Sequence, residues 1–246
     1  MAKQESFIEI KGSVGKLSFY KTADGYLVRK KTSGGNPAKY ARTREAMAHF
    51  GTAGKAGKVL RRALDPIAQY ASDRKLVSRL SRKMSEVIKN DMVNPRGKKN
   101  VIDGETELLT GFEFNAGGLL GVTFKLQFES NIDRVSGNMN IKVPAFVPMS
   151  NVKWPIEASH CQLHVGGVEV DFEKGAYVAE FKTSEPFALD GTAVAALEMG
   201  VALPPNSTHP LFLAFGITFW VKDVNGMLPV ENKSYNALAI VKVSGV

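Results

Sequence analysis

A glycine-rich segment with two lysines, residues 51–58 (GTAGKAGK), is the first candidate for chemistry, because backbone amides of glycine-rich loops can bind phosphate. The Walker pattern needs a glycine, four residues, then Gly-Lys and Ser or Thr. Ala56 or Val59 stands where that pattern needs the second glycine, and no buried strand leads into the segment. We interpret it as a helix that packs or assembles through small residues, and the predicted contact positions are Phe50, Gly51, Gly54, Gly57 and Leu60.

Two histidines and the single cysteine, His160, Cys161 and His164, form the second candidate, a metal site. The residues that follow favour a strand, in which the two histidines share a face but lie about 13 Å apart. Cys161 then points the other way, so one tetrahedral ion cannot bind all three side chains. We therefore predict no metal here and interpret Cys161 as a small buried apolar residue.

Alternating carboxylates form the third candidate. A calcium site or a general acid–base pair is conceivable, but no oxygen-rich loop accompanies them, which favours solvated strand faces. The two groups are Asp103, Glu105 and Glu107, and Glu169, Asp171 and Glu173. The sequence contains no nucleophile elbow, zinc-protease motif or dinucleotide fingerprint. These patterns predict a protein that is not an enzyme and has no cofactor.

Positive charge is concentrated in the first hundred residues. They hold 23 Lys and Arg against 8 Asp and Glu, a net charge of +15, while residues 101–246 hold 9 against 16, a net charge of −7. Two interpretations stay open: a solvated basic helix surface, or contact with an anion such as nucleic acid. In the second case binding would be independent of base sequence, through Arg61, Arg62, Arg74, Lys75, Arg79, Arg82 and Lys83.

The elements that position these residues fall into two regions. Residues 16–21 and 26–31 predict a hairpin around Asp24-Gly25, and residues 32–37 (TSGGNP) a flexible break. Helical periodicity follows. One apolar stripe begins after Thr43, and a second helix spans about residues 73–90; residues 94–99 are a candidate linker. The stripes are Ala46, Phe50, Ala53, Gly57, Leu60 and Leu64, then Leu76, Val77, Leu80, Met84, Val87 and Ile88.

From about Val101 the periodicity is two, which is typical of strands. Alternation is clearest at residues 122–128, 168–173 and 215–221, with turns at Lys174-Gly175 and Asn225-Gly226 and an apolar run at 237–243. We predict a mainly β (α+β overall) protein: an antiparallel immunoglobulin-like β-sandwich at residues 101–246, with a β-barrel as the alternative. A basic region at residues 1–100, made of a β-hairpin and two or three amphipathic helices, precedes it.

Length and composition exclude several classes. The chain has 246 residues, 44% of them hydrophobic, and a single cysteine, so a disulfide framework is excluded. Its longest apolar run, residues 211–221, is about half of what a bilayer span requires. The N-terminus lacks an apolar signal core. We expect a cytoplasmic protein without a membrane span, or a component of a virion.

Three strings carry a resemblance: KGSVGKLSFYKTADGYLVRKK, RTREAMAHFGTAGKAGKVLR and, near the end, FGITFWVKDVNGMLPVENKSYNALAIVKV. They resemble a family of uncharacterised bacterial proteins with a glycine-bounded hairpin, a helical stretch and a C-terminal β domain. The layout is similar to domain-of-unknown-function families found near prophage or mobile-element genes. The resemblance implies a non-enzymatic structural or interaction protein, a component of a phage-like or other multi-subunit assembly. We expect it to bind a protein partner or copies of itself; sequence-independent nucleic-acid binding is the alternative.

Overall fold

The structure, a computed structural model, describes residues 2–4, 9–22, 25–31, 40–224 and 226–246. The chain divides into two compact units, residues 1–44 and 45–246. This division does not coincide with the predicted boundary at residue 100. The helices after residue 45 share a hydrophobic core with the strands that follow, so sequence regions of different period form one unit.

The first unit contains a four-stranded antiparallel sheet in the order β1-β4-β3-β2. The predicted hairpin is confirmed, because β3 pairs with β4 from Leu17↔Lys30 to Thr22↔Gly25. Ala23 and Asp24 in its turn, and the predicted break at residues 32–37, lie outside the described residues. The strands are β1 (Ala2–Lys3), β2 (Gly12–Val14), β3 (Leu17–Thr22) and β4 (Gly25–Lys30).

Three helices follow: α1 (Ala41–Ala63), α2 (Asp65–Ala68) and α3 (Leu76–Lys89). Pro66 lies in the first turn of α2, where it starts a new helix after the end of α1. Within the described ranges, no helix combines the length and apolar character that crossing a bilayer requires.

The larger sheet of the second unit is built around two long antiparallel strands, β7 (His160–Asp171) and β11 (Leu211–Asp223). On its other edge β7 pairs with β8 and β9, and β11 pairs with β12 and β13, so the sheet has six strands. The shorter strands are β8 (Ala176–Thr183), β9 (Phe187–Ala188), β12 (Gly226–Pro229) and β13 (Ala237–Ser244).

A smaller antiparallel sheet has the order β10-β6-β5, formed by β5 (Glu129–Ile132), β6 (Asn138–Val143) and β10 (Leu197–Ala202). Short helical turns connect the remaining segments. They are α4 (Leu120–Thr123), α5 (Pro148–Asn151) and two 3-10 turns at Thr106–Leu109 and Lys233–Tyr235.

The larger sheet has a hydrophobic core on each face, because successive strand residues point to opposite sides. In β7, Val168 and Val170 pack towards the helices, while Cys161, Leu163 and Val165 pack towards the smaller sheet. The second unit therefore has three layers: helices, larger sheet and smaller sheet. The mainly β, antiparallel character predicted from the sequence is confirmed.

Two local predictions are wrong. Residues 122–128 do not form a strand: the segment begins in α4, and in it only Phe124 forms a β-bridge, to Val152. Residues 94–99 are not a loose linker either. Asp91 is fully buried and accepts hydrogen bonds from the backbone amides of Val93, Asn94 and Asn100, which holds the segment against the end of α3.

Candidate functional site

The candidate functional site is the α1–α3 groove, to which α1 contributes Phe50, while α3 and the residue Arg74 just before it contribute the rest of the lining. Both helices contribute buried residues to one hydrophobic core, and His49 Nε2 of α1 lies 2.7 Å from Ser85 Oγ of α3. A Cβ added at Gly57 would lie 3.4 Å from Leu80 Cγ, so a small residue at this point permits the close approach.

Apolar side chains are exposed along this groove. Phe50 is 70% exposed and Val77 is 59% exposed, although both fall on the predicted core stripes. Ala46 is exposed as well, so the buried stripe of α1 starts only at Ala53. The groove has a volume of about 650 Å³, and its remaining lining is polar or charged: Arg74, Ser78, Ser81, Arg82, Ser85, Glu86 and Lys89.

The groove is electropositive, with three cations against one carboxylate, Glu86. Lys83 donates a hydrogen bond to Glu86 Oε2 at 3.1 Å, and Arg82 Nε lies 3.6 Å from Oε1. The hydrogen bond from Lys83 is the main reason that the pKa of Glu86 lies below its usual value. An apolar strip with basic flanks is complementary to an acidic amphipathic segment.

Arg79, which was predicted to contact an anion, instead binds groups within the protein. Its guanidinium donates to the carbonyl oxygens of Glu113 at 2.6 Å and Phe114 at 3.0 Å, and forms a 2.5 Å ion pair with Asp73. It also lies over the Phe112 ring. Arg79 thus connects α3 to the segment that borders β13, and phosphate would have to displace these contacts.

The structure does not bring the other predicted cations together as one surface. Arg74 and Arg82 line the α1–α3 groove, whereas Arg62 lines a separate cleft. Lys83 is bound to Glu86, and Arg61 and Lys75 line neither of these two cavities. Arg62 is joined there by Lys55, Lys58 and Lys174, which sequence reasoning missed. Spacings of three and four residues could have indicated the two lysines on the Arg62 face, but not Lys174.

The glycines of α1 differ in their surroundings. Gly57 packs closely within the chain, whereas a Cβ added at Gly51 or Gly54 would meet no atom within 4 Å, so contact of these two glycines with another molecule stays a prediction. Leu60, also predicted to pack, is fully buried.

Replacing Gly54 with alanine is therefore expected to raise the free energy of unfolding by about 0.5–1 kcal/mol, since alanine has the higher helix propensity and meets no obstacle. Urea denaturation measures this change. Gly57→Ala is the matched control, because its methyl group must be accommodated against Leu80, and the gain should be smaller or absent. Equal gains at both positions would contradict the assigned packing.

The histidines and the cysteine lie as the strand argument predicts. Cys161 faces the core towards the smaller sheet, and burial raises the pKa of its thiol to about 12. His164 is buried between Thr183 Oγ1 at 3.0 Å and Thr218 Oγ1 at 2.7 Å, and burial lowers its pKa to about 4. Among the residues that the structure describes, no group of three His, Cys, Asp or Glu side chains could hold a metal ion.

The carboxylates predicted as solvated strand faces are partly bound instead. Glu169 Oε1 lies 2.8 Å from His209 Nδ1, and Asp171 Oδ2 lies 3.5 Å from His209 Nε2. Glu107 belongs to a 3-10 turn rather than a strand and accepts a 2.6 Å hydrogen bond from the amide of Gly245. These acids therefore stabilise loops and chain ends.

Two further cavities adjoin the smaller sheet, with volumes of about 690 and 480 Å³. They share Glu129 and Lys142, which are paired across β5 and β6, and Glu198 of β10 lies opposite Lys142. Asn140 donates a 2.5 Å hydrogen bond to Glu198. This row places one lysine between two glutamates, and nothing in it resembles an apolar binding surface.

No protein-family model, curated protein or solved structure matches this chain.

Proposed function

We propose that this chain is a non-enzymatic interaction protein that binds an acidic, amphipathic segment of a protein partner in the α1–α3 groove. The observation that carries the proposal is the exposure of Phe50 and Val77, which line the same groove although α1 and α3 both contribute to the hydrophobic core. Apolar anchors in a groove supply affinity for a helix or extended segment, and basic flanks select an acidic one.

From the resemblance to prophage-associated families, the proposal extends to a component of a phage-like or other multi-subunit assembly, located in the cytoplasm or in a virion. The two sheets of residues 101–246 would form the rigid part of this component. Two facing antiparallel sheets support the finer prediction of an immunoglobulin-like sandwich, to which the helical layer is an addition.

Site-specific photocrosslinking tests the proposal. Benzoylphenylalanine replaces Phe50 or Val77 in the chain expressed in its own host, and Ile156, which is 98% exposed and does not line the groove, is the matched control position. We expect one adduct from positions 50 and 77 and none from position 156, and mass spectrometry should place the crosslink on an acidic, amphipathic segment of another protein.

A second arm tests the charges. The double charge reversal Arg82→Glu and Lys89→Glu should reduce the yield of the adduct at least tenfold. Charge reversal of Lys98, which is exposed and lies outside the groove, should leave the yield unchanged. The proposal is overturned by the absence of any adduct, by equal adducts from position 156, or by an adduct that survives charge reversal. An adduct between two copies of the chain would show that the groove binds a second copy of the protein and would overturn the proposal of an acidic partner.

A further inference from the structure

A second basic surface lies on the opposite flank of α1. It is a cleft of about 370 Å³ between α1 and the β7–β8 turn. Four cations line it: Lys55, Lys58 and Arg62 from the helix, and Lys174 from the turn. It is distinct from the α1–α3 groove, with which it shares no lining residue.

The helix and the turn are brought together by local geometry. Lys55, Lys58 and Arg62 are three and four residues apart, so they lie on one face of α1. Gly175 has a φ of +70°, a conformation that favours glycine, and an added Cβ there would lie 3.7 Å from Val59 Cγ2. The turn therefore lies against α1 and places Lys174 beside the helical cations.

The positive charge that α1 contributes to the cleft is not neutralised within the described part of the chain. Lys174 lies 3.3 Å from Asp171, and Glu173 is the one carboxylate in the lining. No carboxylate among the described residues lies within ion-pair distance of Lys55, Lys58 or Arg62. Arg62 in the last turn of α1 is favoured by the helix dipole, but this explanation does not extend to the two lysines in the middle of the helix.

Aromatic side chains complete the cleft. Tyr177, at the start of β8, is 47% exposed, and Phe172 beside it packs edge-on against Phe212 in the core. Proteins that bind single-stranded nucleic acid combine an accessible aromatic ring with several neighbouring cations. The cations contact phosphates and the ring stacks on a base.

We propose that this cleft binds the phosphate backbone of single-stranded nucleic acid, with Tyr177 as the stacking residue. Lys55, Lys58, Arg62 and Lys174 contact successive phosphates without reading base identity. Three of these cations lie outside the set predicted from the sequence, and the site does not depend on the protein-binding groove proposed above.

Fluorescence anisotropy with a labelled 20-nucleotide oligothymidylate, across a salt series, tests this assignment. We expect binding that weakens linearly on logarithmic axes as salt rises. Lys58→Ala and Arg62→Ala should each weaken binding about threefold to tenfold and reduce the salt slope by about 0.7, the value for one lost phosphate contact on a single strand.

Tyr177→Ala separates nucleic acid from other polyanions. It should weaken oligothymidylate binding about tenfold while leaving the salt slope unchanged, since stacking releases no counterions. Polyglutamate serves as a competitor without bases, and the Tyr177→Ala substitution should not change its affinity. A duplex of the same length should bind more weakly, because its bases are not available to the ring.

The matched controls are Arg82→Ala and Lys98→Ala, which remove one exposed positive charge outside the cleft. Both should leave the affinity within about twofold of the unmodified protein, as should Phe50→Ser in the other groove. Equal losses from the control and cleft variants, no binding at low salt, or an unchanged affinity of Tyr177→Ala would each overturn the proposal. Equal binding of the duplex would overturn it as well. All of the substituted side chains are exposed, and circular dichroism verifies that each variant is folded.

Discussion

Replacing Arg79 with alanine is expected to lower the free energy of unfolding by about 3 kcal/mol. The substitution leaves the Asp73 carboxylate and the carbonyl oxygens of Glu113 and Phe114 without their shared donor. Burial opposes ionisation of Asp73, but hydrogen bonds from the amides of Ala116 and Lys75 and from Arg79 hold its pKa below the usual value. The side chains of Arg79 and Asp73 are only 29% and 21% exposed, so solvent compensates little.

Urea denaturation at neutral pH measures this loss. Arg82→Ala is the matched control: Arg82 lies one turn further along α3, its side chain is 86% exposed, and the expected change is below about 0.5 kcal/mol. Arg79→Lys should give an intermediate value, because one ammonium group cannot reproduce the fork of the guanidinium. If Arg79→Ala were as stable as Arg82→Ala, Arg79 would not hold α3 to residues 113–114.

Stability should be nearly constant between pH 4.5 and 6.5, because the buried His164 and the partly buried Glu113 titrate in opposite senses. Burial lowers the pKa of His164 from 6.5 to about 4, so in this range the unfolded chain binds a proton that the native protein does not, and stability rises with pH. Burial raises the pKa of Glu113 from 4.5 to about 7, so the native protein binds the extra proton and stability falls with pH. The two slopes cancel.

Single substitutions should separate these contributions. With His164→Asn, the contribution of Glu113 is no longer opposed, and the free energy of unfolding should fall by about 3 kcal/mol as the pH rises from 4.5 to 7. With Glu113→Gln, the contribution of His164 is no longer opposed, and the free energy should rise by a similar amount from pH 4 to 6.5. Denaturation curves at half-unit pH intervals measure both slopes.

The pH window leaves out the other strongly shifted carboxylate. Asp91, whose pKa is about 2 because amide hydrogen bonds outweigh its burial, loses its stabilising contribution only below pH 4, outside the window. A flat profile in both His164→Asn and Glu113→Gln would contradict the buried states assigned to these groups.

The sequence predictions that the structure confirms are mostly those for segments with a clear hydrophobic period. The alternation around Val168 and Val170 predicted β7, and the apolar run at 237–243 predicted β13. Residues 122–128 alternate just as clearly yet form no strand. A hydrophobic period of two indicates only that a segment would have one apolar and one polar face as a strand. A strand also requires a neighbouring strand for its backbone hydrogen bonds, and that neighbour can be distant in sequence.

The candidate sites depended even more on distant contacts. Arg79 and Arg82 have the same charge and lie three residues apart on α3, but only Arg79 faces the carbonyl oxygens of residues 113 and 114. Lys174 joins a basic cleft because the β7–β8 turn lies against α1. Neither arrangement leaves a signal in local sequence.

The amino-acid sequence by itself determined the mainly β character, the N-terminal hairpin, the helical stretch and the position of His160, Cys161 and His164 along one strand, because each follows from spacing within one element. Only the tertiary structure decided that residues 45–100 share a core with the strands, that Phe50 and Val77 stay exposed, and which cations remain accessible. Burial and pairing are properties of two surfaces that meet, and a periodic sequence describes only one of them.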